Sequence, residues 1–135
     1  MPREAEDPRI VLLGERDAEG MAALAFATEP GPWGSKTRCY GNYYGIRIGR
    51  KLAAMAGERM KLPGLAELSG VSTWPEFRGH GLAAALIRRV VRDMLARGDT
   101  PFLHCYAANA GAVALYEKLG FRTRARMCFT ILARA

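Results

Sequence analysis

No apolar stretch in this chain approaches the roughly 20 consecutive residues needed to cross a bilayer, and the opening Met1 to Asp7 lacks the apolar core of a secretory signal. The expectation is therefore a cytoplasmic protein with no membrane partner. Cysteine is scarce: Cys39, Cys105 and Cys128 are odd in number, far apart and without a Cys-x-x-Cys pair, which argues against a disulfide framework or a redox motif and for free thiols. The two histidines, His80 and His104, are too far apart to form the paired spacing of a structural zinc site. Nothing repeats and no segment is of low complexity, so solenoids and linker-divided arrays are excluded.

What is present is the composition of an ordinary globular domain, with 50% of residues hydrophobic and 24% charged. At 135 residues one core is the default, giving a single domain over 1–135 with residues 1–8 expected as a disordered tail. The net charge of +7 invites an anionic partner. Nucleic acid would call for a basic stripe with interleaved aromatics on a known module, which is not found, so it is not the expected partner. A small polyanion carrying phosphates fits the charge as well, and a solvated basic surface accounts for most of the arginines.

Ile10 to Leu13 reads as a first strand, and Asp17 as the N-cap of a helix carrying Met21, Leu24 and Ala25 on one face and ending before Pro30-Gly31-Pro32. Residues 31–42 form a loop containing Trp33. Tyr44–Ile48, Leu52–Lys61 and Ala66–Thr73, separated by Gly49-Arg50 and Pro63-Gly64, predict an antiparallel three-stranded meander. Gly81–Arg97 is the clearest helix, its apolar stripe running through Leu82, Leu86, Val90 and Met94 and widened by Ile87, Val91 and Leu95. Pro101–Tyr106 predicts a buried strand, Asn109–Leu119 a helix closed by Gly120, and Phe121–Leu132 one last strand. The fold class is α/β, a mixed sheet flanked by helices.

The segment Val71-Ser72-Thr73-Trp74-Pro75-Glu76-Phe77-Arg78-Gly79-His80-Gly81-Leu82-Ala83 runs from a strand through a glycine-rich turn into that helix. Such a junction offers free N–H groups and the positive end of a helix dipole to a phosphate. Gly79-x-Gly81-x-x-Ala84 also fits a dinucleotide-binding fingerprint. That fold needs an acidic residue at the end of the following strand and a longer series of parallel βαβ units, and neither is here.

Arg78-x-x-Gly81-x-Ala83, preceded by Val71-Ser72-Thr73-x-Pro75-Glu76 and followed by Asn109-x-x-Ala112-x-x-Leu115-Tyr116-x-x-Leu119-Gly120-Phe121, resembles the signature blocks of the GNAT N-acetyltransferases. The second half is most similar to the C-terminal domain of glycine N-acyltransferases, whose preceding domain has no counterpart in these residues. The resemblance implies a single-domain GNAT fold with parallel pairing of the fourth and fifth strands. It also implies acetyl-CoA (coenzyme A) as acyl donor and direct transfer to a primary amine of a small molecule or peptide, with self-association into a homodimer left open.

It further implies that the backbones of Val71, Ser72 and Thr73 pair with the pantetheine arm. Arg78, Gly79, His80, Gly81, Leu82 and Ala83 would then cradle the pyrophosphate. Val71 N–H would face the developing oxyanion. Asn109 either hydrogen-bonds the cofactor arm or caps its helix. Tyr116 is the expected general acid for the leaving thiolate, or else a core aromatic; with reference pKa values near 8.5 for a thiol and 10 for a phenol, full proton transfer is uphill by about 2 kcal/mol, so partial donation suffices. Glu67, a lone carboxylate in an apolar strand, is the expected acceptor of the amine's proton, directly or through water, or else a salt-bridged strand residue. Glu58 is the second choice. His80 reads as a loop residue and His104 as packed. Trp33 and Tyr40 are expected to wall the acceptor site, with Tyr43 and Tyr44 adding wall surface and a core position for Trp33 as the alternative. A catalytically silent acyl-CoA-binding or nucleic-acid-associated module of the same fold is the competing function.

Overall fold

The computed structural model describes residues 7–28, 41–105, 110–125 and 129–133, the side chains of residues 28, 60, 104, 105, 110, 123–125 and 129–133 excepted. The N-terminal strand β1 (Ile10–Leu12) leads through a 3-10 turn into helix α1 (Ala18–Thr28). The meander follows as β2 (Tyr43–Ile48), β3 (Lys51–Leu62) and β4 (Leu65–Thr73), then helix α2 (Leu82–Ala96), strand β5 (Thr100–Cys105), helix α3 (Ala110–Lys118) and strands β6 (Phe121–Ala125) and β7 (Phe129–Ala133). They form one seven-stranded sheet in the order β1-β2-β3-β4-β5-β7-β6.

The expected meander is present, antiparallel from β1 to β4. Its turns fall where glycine is needed: Gly49 (φ 64°) between β2 and β3, and Gly64 (φ 75°) between β3 and β4, both in the left-handed region that other residues rarely adopt. β4 then pairs β5 in parallel, the crossover being α2.

Each face of the sheet is covered by one of the first two helices. α2 lays Leu82, Leu86, Ile87, Val90 and Met94 on Tyr44, Ile46, Ala54, Ala56, Ala66 and Leu68. Burial of such aliphatic side chains stabilises the fold by about 1.5–3 kcal/mol each, and the alanines of β3 and β4 leave room for the helix to lie close. On the opposite face, α1 brings Met21, Leu24 and Ala25 to Leu13, Tyr43, Leu52 and Met55.

Three sequence expectations are corrected. Phe121–Leu132 is two strands: β6 and β7 pair antiparallel, with β7 inserted between β6 and β5, so the chain first takes the sheet edge as β6 and then turns back inside it as β7. Asp17 does not cap α1 but closes the 3-10 turn before it, accepting from the Gly14 N–H (2.8 Å) and from Arg47. Leu95, assigned to the apolar stripe of α2, is 46% exposed, because it lies on the flank of the helix, about 100° round from Met94, which stays buried. Near the start of the described residues Asp7 forms a local turn with Arg9, whose backbone and side-chain nitrogens donate to its carboxylate.

Candidate functional site

The two central strands run parallel but stay together only briefly. β4 and β5 pair from Leu65–Thr100 to Glu67–Phe102. Beyond that point, among the described strands, β4 continues to pair β3 and β5 to pair β7, and no further β4–β5 pairing is present. The strands therefore fork, and the β4 edge from Leu68 to Thr73 turns N–H and C=O groups toward the opening. An extended ligand can add to such an edge as another strand would.

The fork side of β4 is also locally irregular. Ser69 pairs Gly57 and Ser72 pairs Met55, so Gly70 and Val71 together oppose the single residue Ala56. This is a β-bulge, and Gly70 has the positive φ (63°) that such a bulge asks of its first residue. The bulge re-aims the backbone at Val71, the position expected to supply an oxyanion donor. Ser72 is buried and its hydroxyl donates to the Gly70 carbonyl (3.1 Å), bracing the bulge from inside.

At the end of β4 the chain makes a 3-10 turn over Pro75–Phe77 and enters α2 through Arg78-Gly79-His80-Gly81. All four are exposed. Gly79 (φ 84°) and Gly81 (φ 75°) are both left-handed, and a Cβ on either would meet nothing within 4 Å. No side chain caps α2, whose first internal bond runs from Ala85 N–H to the Gly81 carbonyl (3.1 Å). The turn is thus an open, glycine-lined cradle at the positive end of a 15-residue helix, the arrangement that suits a phosphate. Arg78 donates from Nε to the Thr73 carbonyl (3.3 Å), tying the cradle back to the end of β4. Beside it, Lys51 lies over the Trp74 ring (4.3 Å) and pairs with Glu76. A phosphorylated pantetheine thioester fits this set, with an extended arm for the open strand edge and phosphates for the uncapped helix end.

Glu67 stands at the apex of the fork, as the last β4 residue paired to β5. It is 1% exposed. Arg59 of β3 grips it bidentately, Nε to Oε1 at 2.8 Å and Nη2 to Oε2 at 2.9 Å. An incoming amine consequently has no direct path to this carboxylate. Glu58, the neighbouring residue, points to the other face, where Arg97 at the end of α2 holds it in a second bidentate pair. Both acidic residues that stood out in apolar strands are therefore salt-bridged.

Tyr43 lies on the Glu67 side, its ring over Gly57, where a Cβ would come within 2.4 Å of the ring. Burial pushes its phenol up to about 12, with the Ser69 hydroxyl and the Arg59 charge acting the other way and Glu67 adding to the rise. It is a protonated donor throughout the physiological range. Tyr116, on α3, is half-buried against the core, its ring edge-on to Phe121 (centroids 6.0 Å apart, 70°). Trp33, Tyr40 and Asn109 lie outside the described residues, as do the side chains of all three cysteines and of His104.

Arg59 and Ser69 were not singled out from sequence, and Tyr43 and Tyr44, read there as added wall for the acceptor, are buried in the core. The available signal was alternation: Arg59 shares a strand face with Met55 and Gly57, next to the lone acid of the adjoining strand. A basic residue on that face needs a partner.

The comparisons agree with this geometry. The family model described as FR47-like protein matches residues 43–130, more than half of the chain. A crystal structure of a GNAT-family protein from Novosphingobium aromaticivorans DSM 12444 is 60% identical, with a TM-score of 0.86, over 96% of this chain and 58% of that one. The ribosomal protein bS18 alanine N-acetyltransferase of Escherichia coli K12 is 35% identical over 97 residues, 67% of this chain and 64% of the relative. The Escherichia coli crystal structure of that enzyme superposes with a TM-score of 0.76 over 93% and 94% of the two chains at 25% identity. The PaiA N-acetyltransferase of Thermoplasma acidophilum, solved with coenzyme A, shares the fold at a TM-score of 0.75 and 15% identity, covering 93% and 98%. The matches thus span less than two thirds of the Novosphingobium protein and of the aligned Escherichia coli sequence. With the forked mixed sheet and the Arg78–Ala83 loop in place, this chain belongs to the FR47-like family of the GNAT acetyltransferase superfamily.

Proposed function

We propose that the chain is an N-acetyltransferase that moves an acetyl group from acetyl-CoA to a primary amine by direct attack. The observation that carries this reading is the opening of β4 from β5 immediately beside the uncapped N-terminus of α2. One continuous groove then offers strand-like hydrogen bonds to a pantetheine arm and helix N–H groups to a pyrophosphate. The bound donor supplies an activated thioester carbonyl.

In this proposal the open edge from Val71 to Thr73 holds the arm in register, and the bulged Val71 N–H faces the carbonyl oxygen. The amides of Gly79 to Ala83 hold the phosphates. Arg78 steadies the turn through Thr73. Asn109 precedes α3 and is assigned to the arm or to the helix cap, and Tyr116 of the same block to protonation of the departing sulfur. Glu67, sealed behind Arg59, acts on the acceptor through that arginine, and the amine's proton leaves through water. Trp33 and Tyr40 are assigned to the acceptor wall. The Asn109–Phe121 block supports a place near the C-terminal domains of glycine N-acyltransferases, and the Escherichia coli relative supports a peptide amine as acceptor. The absence among the described residues of any helix long and apolar enough to span a membrane is compatible with action in the cytoplasm.

The test is a melting titration followed by a turnover screen. A ligand of the native state raises stability by RT ln(1 + [L]/Kd), so acetyl-CoA should raise Tm steeply while a generic RNA does not. Thiol release with a panel of amines, amino acids and peptides then establishes transfer. A Tm shift without transfer to any acceptor would favour the silent acyl-CoA-binding module.

A further inference from the structure

We propose that the Ser69 hydroxyl holds the acceptor nitrogen, accepting one N–H of the incoming amine so that the nitrogen lone pair faces the thioester carbonyl. The inference rests on the transferase reading, with the carbonyl oxygen at the Val71 N–H, and adds to it a residue that touches the reacting amine.

The bulge in β4 decides which side chains flank that carbonyl. Ser69 pairs Gly57 and Ser72 pairs Met55. Residues opposite each other in an antiparallel ladder project to the same face. A Cβ on Gly57 would meet the Tyr43 ring, and Met55 packs with Met21 and Leu24 of α1. Both serines therefore stand on the α1 face, one on each side of Gly70 and Val71. Ala66, Leu68 and Val71 belong instead to the core under α2, where Tyr116 also packs. An arm added to β4 as a strand lies in the plane of the sheet, so its carbonyl is attacked from above or below that plane. The packed core closes the α2 side and leaves the α1 side to the amine.

Of the two hydroxyls, that of Ser72 is committed: it is buried and donates to the Gly70 carbonyl (3.1 Å). Ser69 is half-buried. Its neighbour is the Tyr43 phenol, which burial keeps protonated throughout the physiological range. Neither hydroxyl is a base at neutral pH, so the pair orients the amine and takes no proton from it. As the C–N bond forms and the C–S bond breaks, the amine's proton leaves through water.

Distance supports the same residue. A hydrogen bond of about 2.9 Å and a near-attack approach of about 3–3.5 Å together reach ~6 Å. Val71 lies inside the interval from Ser69 to Ser72, which spans only two residues of β3, or about 6.8 Å of strand. Glu67 lies two residues beyond Ser69, a further ~6.8 Å along β4, and does not reach the same nitrogen.

The experiment uses the full chain with saturating acetyl-CoA and two acceptors, alaninamide and n-butylamine. Every primary amine carries the N–H that Ser69 accepts. Ser69→Ala should therefore lower kcat/KM for both by a similar factor, roughly 3- to 10-fold, with the Kd of acetyl-CoA unchanged. Ser69→Thr, which restores a hydroxyl and suits a strand, should recover most of the rate. A loss for one acceptor alone would mean that Ser69 reads another part of the substrate, and a weakened Kd that it serves the arm. Either result overturns the proposal, as does a threonine variant no faster than the alanine one. If the wild type transfers to neither amine, the transferase reading falls by itself. Calorimetry with a bisubstrate, CoA joined through an S-acetyl bridge to the alaninamide nitrogen, then decides the contact: weaker binding to Ser69→Ala with unchanged CoA binding upholds it, and equal binding overturns it.

Discussion

Arg59 and Glu67 are joined by two near-parallel hydrogen bonds of 2.8 and 2.9 Å at the apex of the fork between β4 and β5. The carboxylate is inside the protein and the guanidinium lies at its margin. That asymmetry determines how each single variant should behave.

Arg59→Met removes two charged hydrogen bonds from a buried carboxylate and should lower unfolding free energy by about 3 kcal/mol, at the low end for broken buried pairs because Arg59 is partly solvated. Arg59→Met/Glu67→Leu removes both charges and should recover most of the loss. Urea denaturation of the two variants checks this. A double variant as unstable as the single would mean that the packing of the arginine stem, and not the pairing, is what matters.

Tyr116→Phe should lower kcat roughly 100-fold with little change in the Kd of acetyl-CoA, because only the hydroxyl assigned to the leaving sulfur is lost. The Phe121 contact is edge-on through the ring, which phenylalanine preserves. Wild-type kcat in the variant would make Tyr116 a packing residue and leave sulfur protonation to water.

The elements most legible in sequence were those whose local chemistry and tertiary role agree. α2 has a continuous apolar stripe and glycines at both ends, and β2, β3 and β4 are separated by turn residues that do form turns. The β6–β7 hairpin was missed because Phe121–Leu132 contains no glycine or proline to mark a reversal. Asp17 was misread because its partners, Gly14 and Arg47, include one on a strand 30 residues away. The loop around Gly79 and Gly81 was visible as a motif, whereas the burial of Glu67 was not: a lone acid in an apolar strand looks the same whether it faces a substrate or an arginine.

The stability contributed by Asp17 should depend on pH. Its carboxyl is held below the ordinary range first by the Gly14 N–H and then by Arg47, with burial opposing. A depressed folded-state pKa means stability that is fully present above the unfolded value, near 3.9, and lost as pH falls through the folded one. Asp17→Asn should therefore be less stable than the wild type at pH 7, and the gap should close below about pH 4. A gap that does not narrow at all as pH is lowered from 4 would assign the loss to geometry in place of charge.

Gly81 and Gly49 allow strain and ligand contact to be separated. Both are left-handed (φ 75° and 64°), and a Cβ on either meets nothing within 4 Å. A valine at each site should then cost a similar amount of stability, about 1–2 kcal/mol, from the backbone alone. Only Gly81 borders the phosphate cradle, while Gly49 lies in the β2–β3 turn. Gly81→Val should abolish measurable acetyl-CoA binding by calorimetry below the melting temperature, because its branched side chain fills the space assigned to the pyrophosphate. Gly49→Val, equally strained, should bind with wild-type affinity. Equal affinity in both variants would remove the phosphates from this loop, and equal loss would show that strain alone is enough to disable the groove.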